Sequence, residues 1–206
     1  MGTNQTHKNG TVERVGLVAC GALAREVLSV VEANGFDHVE TRFLPAGLHN
    51  TPQQIPQAVD EVLAELAQSC SRLLVGYADC GTGGRLEPIL EKHGATRIEG
   101  AHCYAFYSGL DVFDARQDAE PGTFYLTDFL ARQFDTLVWK PLALDRHPEL
   151  RDAYFGNYTR LMFLSQSPDP DLERRARDAA QRLGLRFEHH HTGLGGLSKF
   201  IEDNAA

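Results

Sequence analysis

The chain has 206 residues, enough for an α/β domain that folds without a disulfide or a metal, since a domain of this size buries roughly 70% of its unfolded surface. Its 20 basic residues stand against 28 acidic ones, a net charge of −8 with no basic block, which argues against nucleic acid or an anionic membrane surface as the main partner. No apolar run approaches the ~20 residues of a membrane span, and the N-terminus lacks a signal-peptide core, so a cytoplasmic location and four free thiols are expected.

Residues 1–12 read as a disordered tail and residues 13–206 as a single α/β domain. Val15 to Cys20 is a short apolar run that predicts a buried strand. A helix follows over about 22–34, with Leu23, Val27, Val30 and Val31 on one face. His38 to Leu44 alternates as a second strand, and Pro45 to Pro52 is a loop that carries His49. A helix over about 53–69 presents Ile55, Val59, Val62, Leu63 and Leu66 as one stripe. Arg72 to Ala78 is the third strand, Leu86 to His93 its helix, and Ala95 to Ala101 the fourth strand. Beyond it, Thr123 to Leu126 is a short extended piece, and Thr127-Asp128 caps a helix to about Phe134. A helix over about 147–158 precedes the strand Leu161 to Ser165. The last helix opens at Pro168 to Asp171 and ends at Gly184, before the strand Leu185 to His191. Short strands alternating with helices predict a Rossmann-like three-layer α/β/α sandwich with a mainly parallel sheet.

The polar residues collect where these strands end. Cys20 closes the first strand, His49 lies in the loop after the second, Asp79-Cys80 close the third, and His102-Cys103 close the fourth. The carboxyl ends of parallel strands share one edge, so Cys, His, Asp-Cys and His-Cys are expected on one rim. Small buried thiols also serve as packing, and Cys70, on the opposite edge, reads that way. Gly81-Thr82-Gly83-Gly84 joins the third strand to its helix and leaves backbone N–H groups bare, a seat for an anion such as a phosphate or carboxylate. Thr192 to Gly196 forms a second such turn. His189-His190-His191 resembles a metal tract, but alternate residues of a strand face opposite sides, so at most two share a site.

The same residues carry a resemblance. Cys20-Gly21, Leu48-His49-Asn50-Thr51-Pro52, Gly76-Tyr77-Ala78-Asp79-Cys80-Gly81, His102-Cys103 with Ser108-Gly109, and Pro121-Gly122-Thr123-Phe124-Tyr125-Leu126-Thr127 together resemble an uncharacterised bacterial and archaeal family, a domain of unknown function. In that family's pattern a residue often separates the histidine from the cysteine, whereas His102 and Cys103 are adjacent here. The resemblance implies a setting near corrinoid-dependent methyl transfer and folate one-carbon metabolism, with a corrinoid or methyltransferase protein as a partner, and no specific reaction.

The rim composition predicts a metal site with Cys20, Cys80 and Cys103 as thiolate ligands and His49 as the fourth. Zinc suits that donor set. A fourth position left open by His49 would take a substrate thiol for methyl or alkyl transfer, or a water for hydrolysis. Asp79 is then an orienting group or base, and His102 a base toward a small-molecule substrate. Three rivals stand beside this reading. One is an iron–sulfur cluster on the three cysteines. Another is a metal-free binding module in which Gly81, Thr82, Gly83 and Gly84 hold an anionic ligand. The third is covalent chemistry at a Cys80 thiolate, with His102 or His49 as base.

Overall fold

Strand β1 (Val15–Cys20) is buried at every position, as a strand covered on both faces must be. The computed structural model describes residues 13–206; the tail expected over residues 1–12 lies outside the described residues. After a turn over Gly21–Leu23, helix α1 (Ala24–Ala33) leads to β2 (Val39–Leu44), which pairs in parallel with β1. Helix α2 (Ile55–Leu66) buries Ile55, Val59, Leu63 and Leu66 and returns the chain to β3 (Arg72–Gly76), on the other side of β1. Right-handed crossovers that step in opposite directions, β1 to β2 through α1 and β2 across β1 to β3 through α2, put the two helices on opposite faces of the sheet. Gly76 is the close approach in this sheet: a Cβ there would lie 2.8 Å from the Ala19 Cβ.

Helix α3 (Glu87–His93) then precedes β4 (Thr96–Arg97), which completes a four-stranded sheet of order β2-β1-β3-β4. The fourth strand is shorter than the expected 95–101. Gly100 takes φ +121° and turns the chain out of the strand, although Ile98 N, Asp79 N and Cys80 N still bond across to Val75, Gly100 and Ala101 carbonyls. The end of β3 and the segment before His102 therefore stay side by side without a regular ladder.

Helices α4 (Cys103–Ser108) and α5 (Leu110–Ala119) follow, broken by Gly109. Strand β5 (Thr123–Thr127) begins a second sheet, of order β5-β6-β7 and again parallel throughout. Thus the fold is a Rossmann-like α/β/α arrangement whose parallel strands divide into two sheets, where the sequence pattern had suggested one. Helix α6 (Asp128–Arg132) is capped by the Thr127 hydroxyl, and the helix expected over 147–158 is cut to α7 (Arg151–Phe155) behind a short turn at Pro148. Strand β6 (Arg160–Ser165) is buried throughout. Helix α8 (Pro170–Leu183) buries Leu172, Ala176, Ala179, Ala180 and Leu183, begins at an Asp169 cap and stops at a left-handed Gly184.

Strand β7 (Arg186–His191) and helix α9 (Gly195–Ala205) end the chain. Helix α9 packs against α1 and α4 with Leu197, Ile201 and Ala205 buried. The glycine turn before it serves that contact, since a Cβ on Gly195 would run into the Tyr107 carbonyl and sit 2.9 Å from that of Phe106. Each sheet has its own apolar core. A smaller cluster, formed by Ala105 and Phe113 with Tyr125, Met162 and Leu164, joins α4 and α5 to the second sheet.

Candidate functional site

The chain leaves β1 toward β2 on one side and leaves β3 toward β4 on the other, so the switch in strand order falls between β1 and β3. In open parallel sheets the crevice for ligands lies at that switch, outside the carboxyl ends of the strands. Here those ends are Cys20 and, just past β3, Tyr77 to Cys80.

Cys20 is 3% exposed and its sulfur accepts the Ala22 N–H at 3.3 Å. The turn over Ala46–Asn50 carries His49 over it, with Nδ1 3.7 Å from Cys20 Sγ and 3.2 Å from the Ala46 carbonyl. A carbonyl only accepts, so Nδ1 carries the proton and Nε2 the lone pair. The imidazole stacks on Tyr77, ring centres 6.1 Å apart. Burial lowers the His49 pKa. Tyr77 is itself 1% exposed, and its hydroxyl has the Cys20 sulfur as its polar neighbour, outside regular hydrogen-bond geometry. An unpartnered buried hydroxyl costs about 1–3 kcal/mol. Burial first, and Cys20 next, push that phenol far above its ordinary range.

Asp79 and the glycine loop form one unit. The Asp79 carboxylate accepts from Gly84 N at 2.8 Å, Gly83 N at 3.2 Å and the buried Thr82 hydroxyl at 2.9 Å. The exposed amides expected to receive an anionic ligand thus already hold an internal carboxylate. Those bonds, led by Gly84, lower the Asp79 pKa against the opposing effect of burial. They make Asp79 a weak base and a firm structural anchor. Between the anchor and the loop, Cys80 adopts φ +50°, one of two non-glycine residues among those described with positive φ. A cysteine in that region is strained where glycine would not be.

Cys103 starts α4 and is partly accessible, as is Cys80. Burial pushes all three rim thiols upward, Cys80 to about 12. The thiols also act on one another: Cys20 raises Cys80, and Cys80 and then Cys20 raise Cys103. The sulfurs at the end of β1, just past β3 and at the start of α4 therefore lie within electrostatic reach of one another; His102 and Cys103 do not close the fourth strand, which stops at Arg97. His102 is exposed at the N-cap of α4, its ring 5.6 Å from Phe113 and 5.9 Å from Tyr104; partial burial lowers its pKa, opposed by Asp79. Cys70 lies away from the rim, after α2, with its sulfur 3.7 Å from the Ser69 hydroxyl. Among the described residues no three His, Cys, Asp or Glu side chains form a ready-made metal cage. Tyr77 was not marked out by its sequence, where it reads as another apolar strand residue. Its place beside Asp79-Cys80 was the available signal.

The family described as a protein of unknown function (DUF1638) matches residues 43–201, and the chain belongs to that family. The match starts at Phe43, so β1 and Cys20 precede it. No curated protein and no solved structure matches the chain.

Proposed function

We propose that this member of the DUF1638 family binds one zinc ion at the β1/β3 switch point, through Cys20, Cys80 and Cys103 with His49 as the exchangeable fourth ligand. The observation that carries this reading is that the thiols at the end of β1, just past β3 and at the start of α4 act electrostatically on one another, with His49 Nδ1 3.7 Å from Cys20 Sγ. The donor types suit such an ion, although among the described residues no three of them are gathered into a cage as they stand. The 3.7 Å between Cys20 Sγ and His49 Nδ1 is close to the ~3.5 Å edge of a tetrahedron built on ~2.3 Å sulfur and ~2.0 Å nitrogen bonds. In a metal-bound form His49 Nδ1 would give up the proton it now directs at the Ala46 carbonyl. When bound, zinc would supply the positive charge that keeps a thiol, its own or a substrate's, deprotonated for alkyl transfer.

The protein residues have distinct tasks in this reading. Asp79 fixes the loop and, through it, the strained backbone of Cys80. His102, largely neutral at pH 7, takes a proton from a small-molecule substrate at the exposed side of the rim. The one-carbon setting and a corrinoid or methyltransferase protein partner belong to this proposal as well. Covalent chemistry at a metal-free Cys80 is the weaker alternative, because a thiol raised to about 12 stays protonated at neutral pH.

Metal analysis of protein purified without oxygen tests the reading. One colourless zinc per chain in the parent, lost in Cys103→Ser and retained in Cys70→Ser, is expected. A brown protein with iron and sulfide would replace zinc by the three-cysteine cluster. Absence of metal from parent and variants alike would remove the site.

A further inference from the structure

The carboxyl edge of the second sheet holds a separate constellation that the zinc reading does not use. Strand β6 ends at Ser165, 2% exposed, and β7 pairs with it so that His191 lies opposite Ser165 and His189 opposite Phe163. His189 and His191 are two apart on a strand and face the same side. The Ser165 hydroxyl is 2.9 Å from His189 Nε2 and 2.9 Å from His191 Nδ1. His189 Nδ1 lies 3.5 Å from Glu173 Oε2 on α8, and its ring stacks on Phe163 with centres 5.1 Å apart.

The carboxylate decides the protons. Facing Glu173, Nδ1 of His189 carries hydrogen, so Nε2 presents its lone pair and accepts from the Ser165 O–H. The Ser165 oxygen then accepts from His191 Nδ1–H. The neighbouring amides of Gln166 and Ser167 are already given to the Asp128 carboxylate, which leaves His191 as a donor at the serine oxygen. These groups open onto a cavity of about 280 Å³ with Pro168, Asp169 and Pro170 on its wall. Its volume is just below the roughly 300–1,000 Å³ usual for small-molecule sites. Asp169 and Glu173 in its lining disfavour anionic ligands.

We propose that Ser165, His189 and Glu173 act as nucleophile, base and orienting carboxylate toward small neutral carboxylic esters. Ser165 Oγ bonds to the ester carbonyl carbon as its proton passes to His189 Nε2. The carbon–alkoxy bond breaks, and that proton leaves with the alcohol. A water molecule, deprotonated by His189, then attacks the acyl-Ser165 carbonyl. The bond to Oγ breaks, Oγ regains a proton, and the carboxylic acid is released.

Treating the full chain with a fluorophosphonate, which displaces fluoride and bonds to an activated serine oxygen, tests the proposal by mass spectrometry. A single adduct on the peptide containing Ser165 is expected. It should be absent in Ser165→Ala, slowed by roughly 100-fold or more in His189→Ala, and unchanged at the exposed Ser29→Ala control. p-Nitrophenyl acetate hydrolysis should fall in parallel. No adduct on Ser165 in folded parent protein, or one that forms equally fast in His189→Ala, overturns the proposal.

Discussion

Cys80 is where the local backbone and the proposed chemistry disagree about the best residue. Its φ of +50° favours glycine, so Cys80→Gly should stabilise the metal-free protein by about 0.5–1 kcal/mol in urea melts, while removing bound metal. A variant that loses stability instead would mean the thiol is a packing residue. Asp79 makes a pH-dependent prediction. Its pKa is lowered in the fold by the Gly84, Gly83 and Thr82 bonds. The stability it contributes is therefore complete above the carboxylate's ordinary value near ~4 and disappears as pH falls through the lower folded value. The urea midpoints of the parent and Asp79→Asn should differ at pH 7 and converge as pH falls through the lowered folded value of Asp79. A gap that persists in acid would show that the loop is not held by the ionised carboxylate.

At the scale of elements, Asp128 at the start of α6 holds the segment that follows β6. It is 1% exposed and accepts from Gln166 N at 3.1 Å and Ser167 N at 2.9 Å, as well as from the Ser167 hydroxyl. Asp128→Ala leaves buried donors unpaired and should cost about 3 kcal/mol in chemical denaturation; a cost below ~0.5 kcal/mol would contradict that role. The strands β1, β2, β3 and β6 were legible from continuous or alternating apolar runs, and β7 from the clear stop of α8 at Gly184 before it. Helix α9 was hidden behind its glycines, which suggest a ligand loop until Gly195 is seen against the carbonyls of α4. The spacing of Leu197, Ile201 and Ala205 was its only signal. Helix α5 buries Phe113 alone among its residues, too little for a stripe. Residues past Arg97 read as strand because hydrogen bonding to the end of β3 continues there without regular geometry.

Across the whole molecule, the sequence pattern was silent on which strands become neighbours. Both halves alternate strand and helix, so the division into two sheets follows from packing that no local period encodes. The same holds for the rim: strand ends could be read in advance, but the orphaned Tyr77 hydroxyl and the internal use of the glycine loop emerge only in three dimensions. Phe113, 5% exposed in the cluster joining α4 and α5 to the second sheet, is a test of coupling between the halves. Phe113→Ala should cost about 3–5 kcal/mol, with tryptophan fluorescence from Trp139 and far-UV dichroism melting together; separate transitions would show that the halves unfold independently. The central claim concerns the ligands at the switch point, and zinc K-edge absorption of protein purified without oxygen reads them directly. Three sulfur scatterers near ~2.3 Å with one nitrogen or oxygen near ~2.0 Å are expected, falling to fewer sulfurs or no zinc in Cys80→Ser. A shell of nitrogen and oxygen alone, or an identical spectrum from Cys80→Ser, would contradict the site.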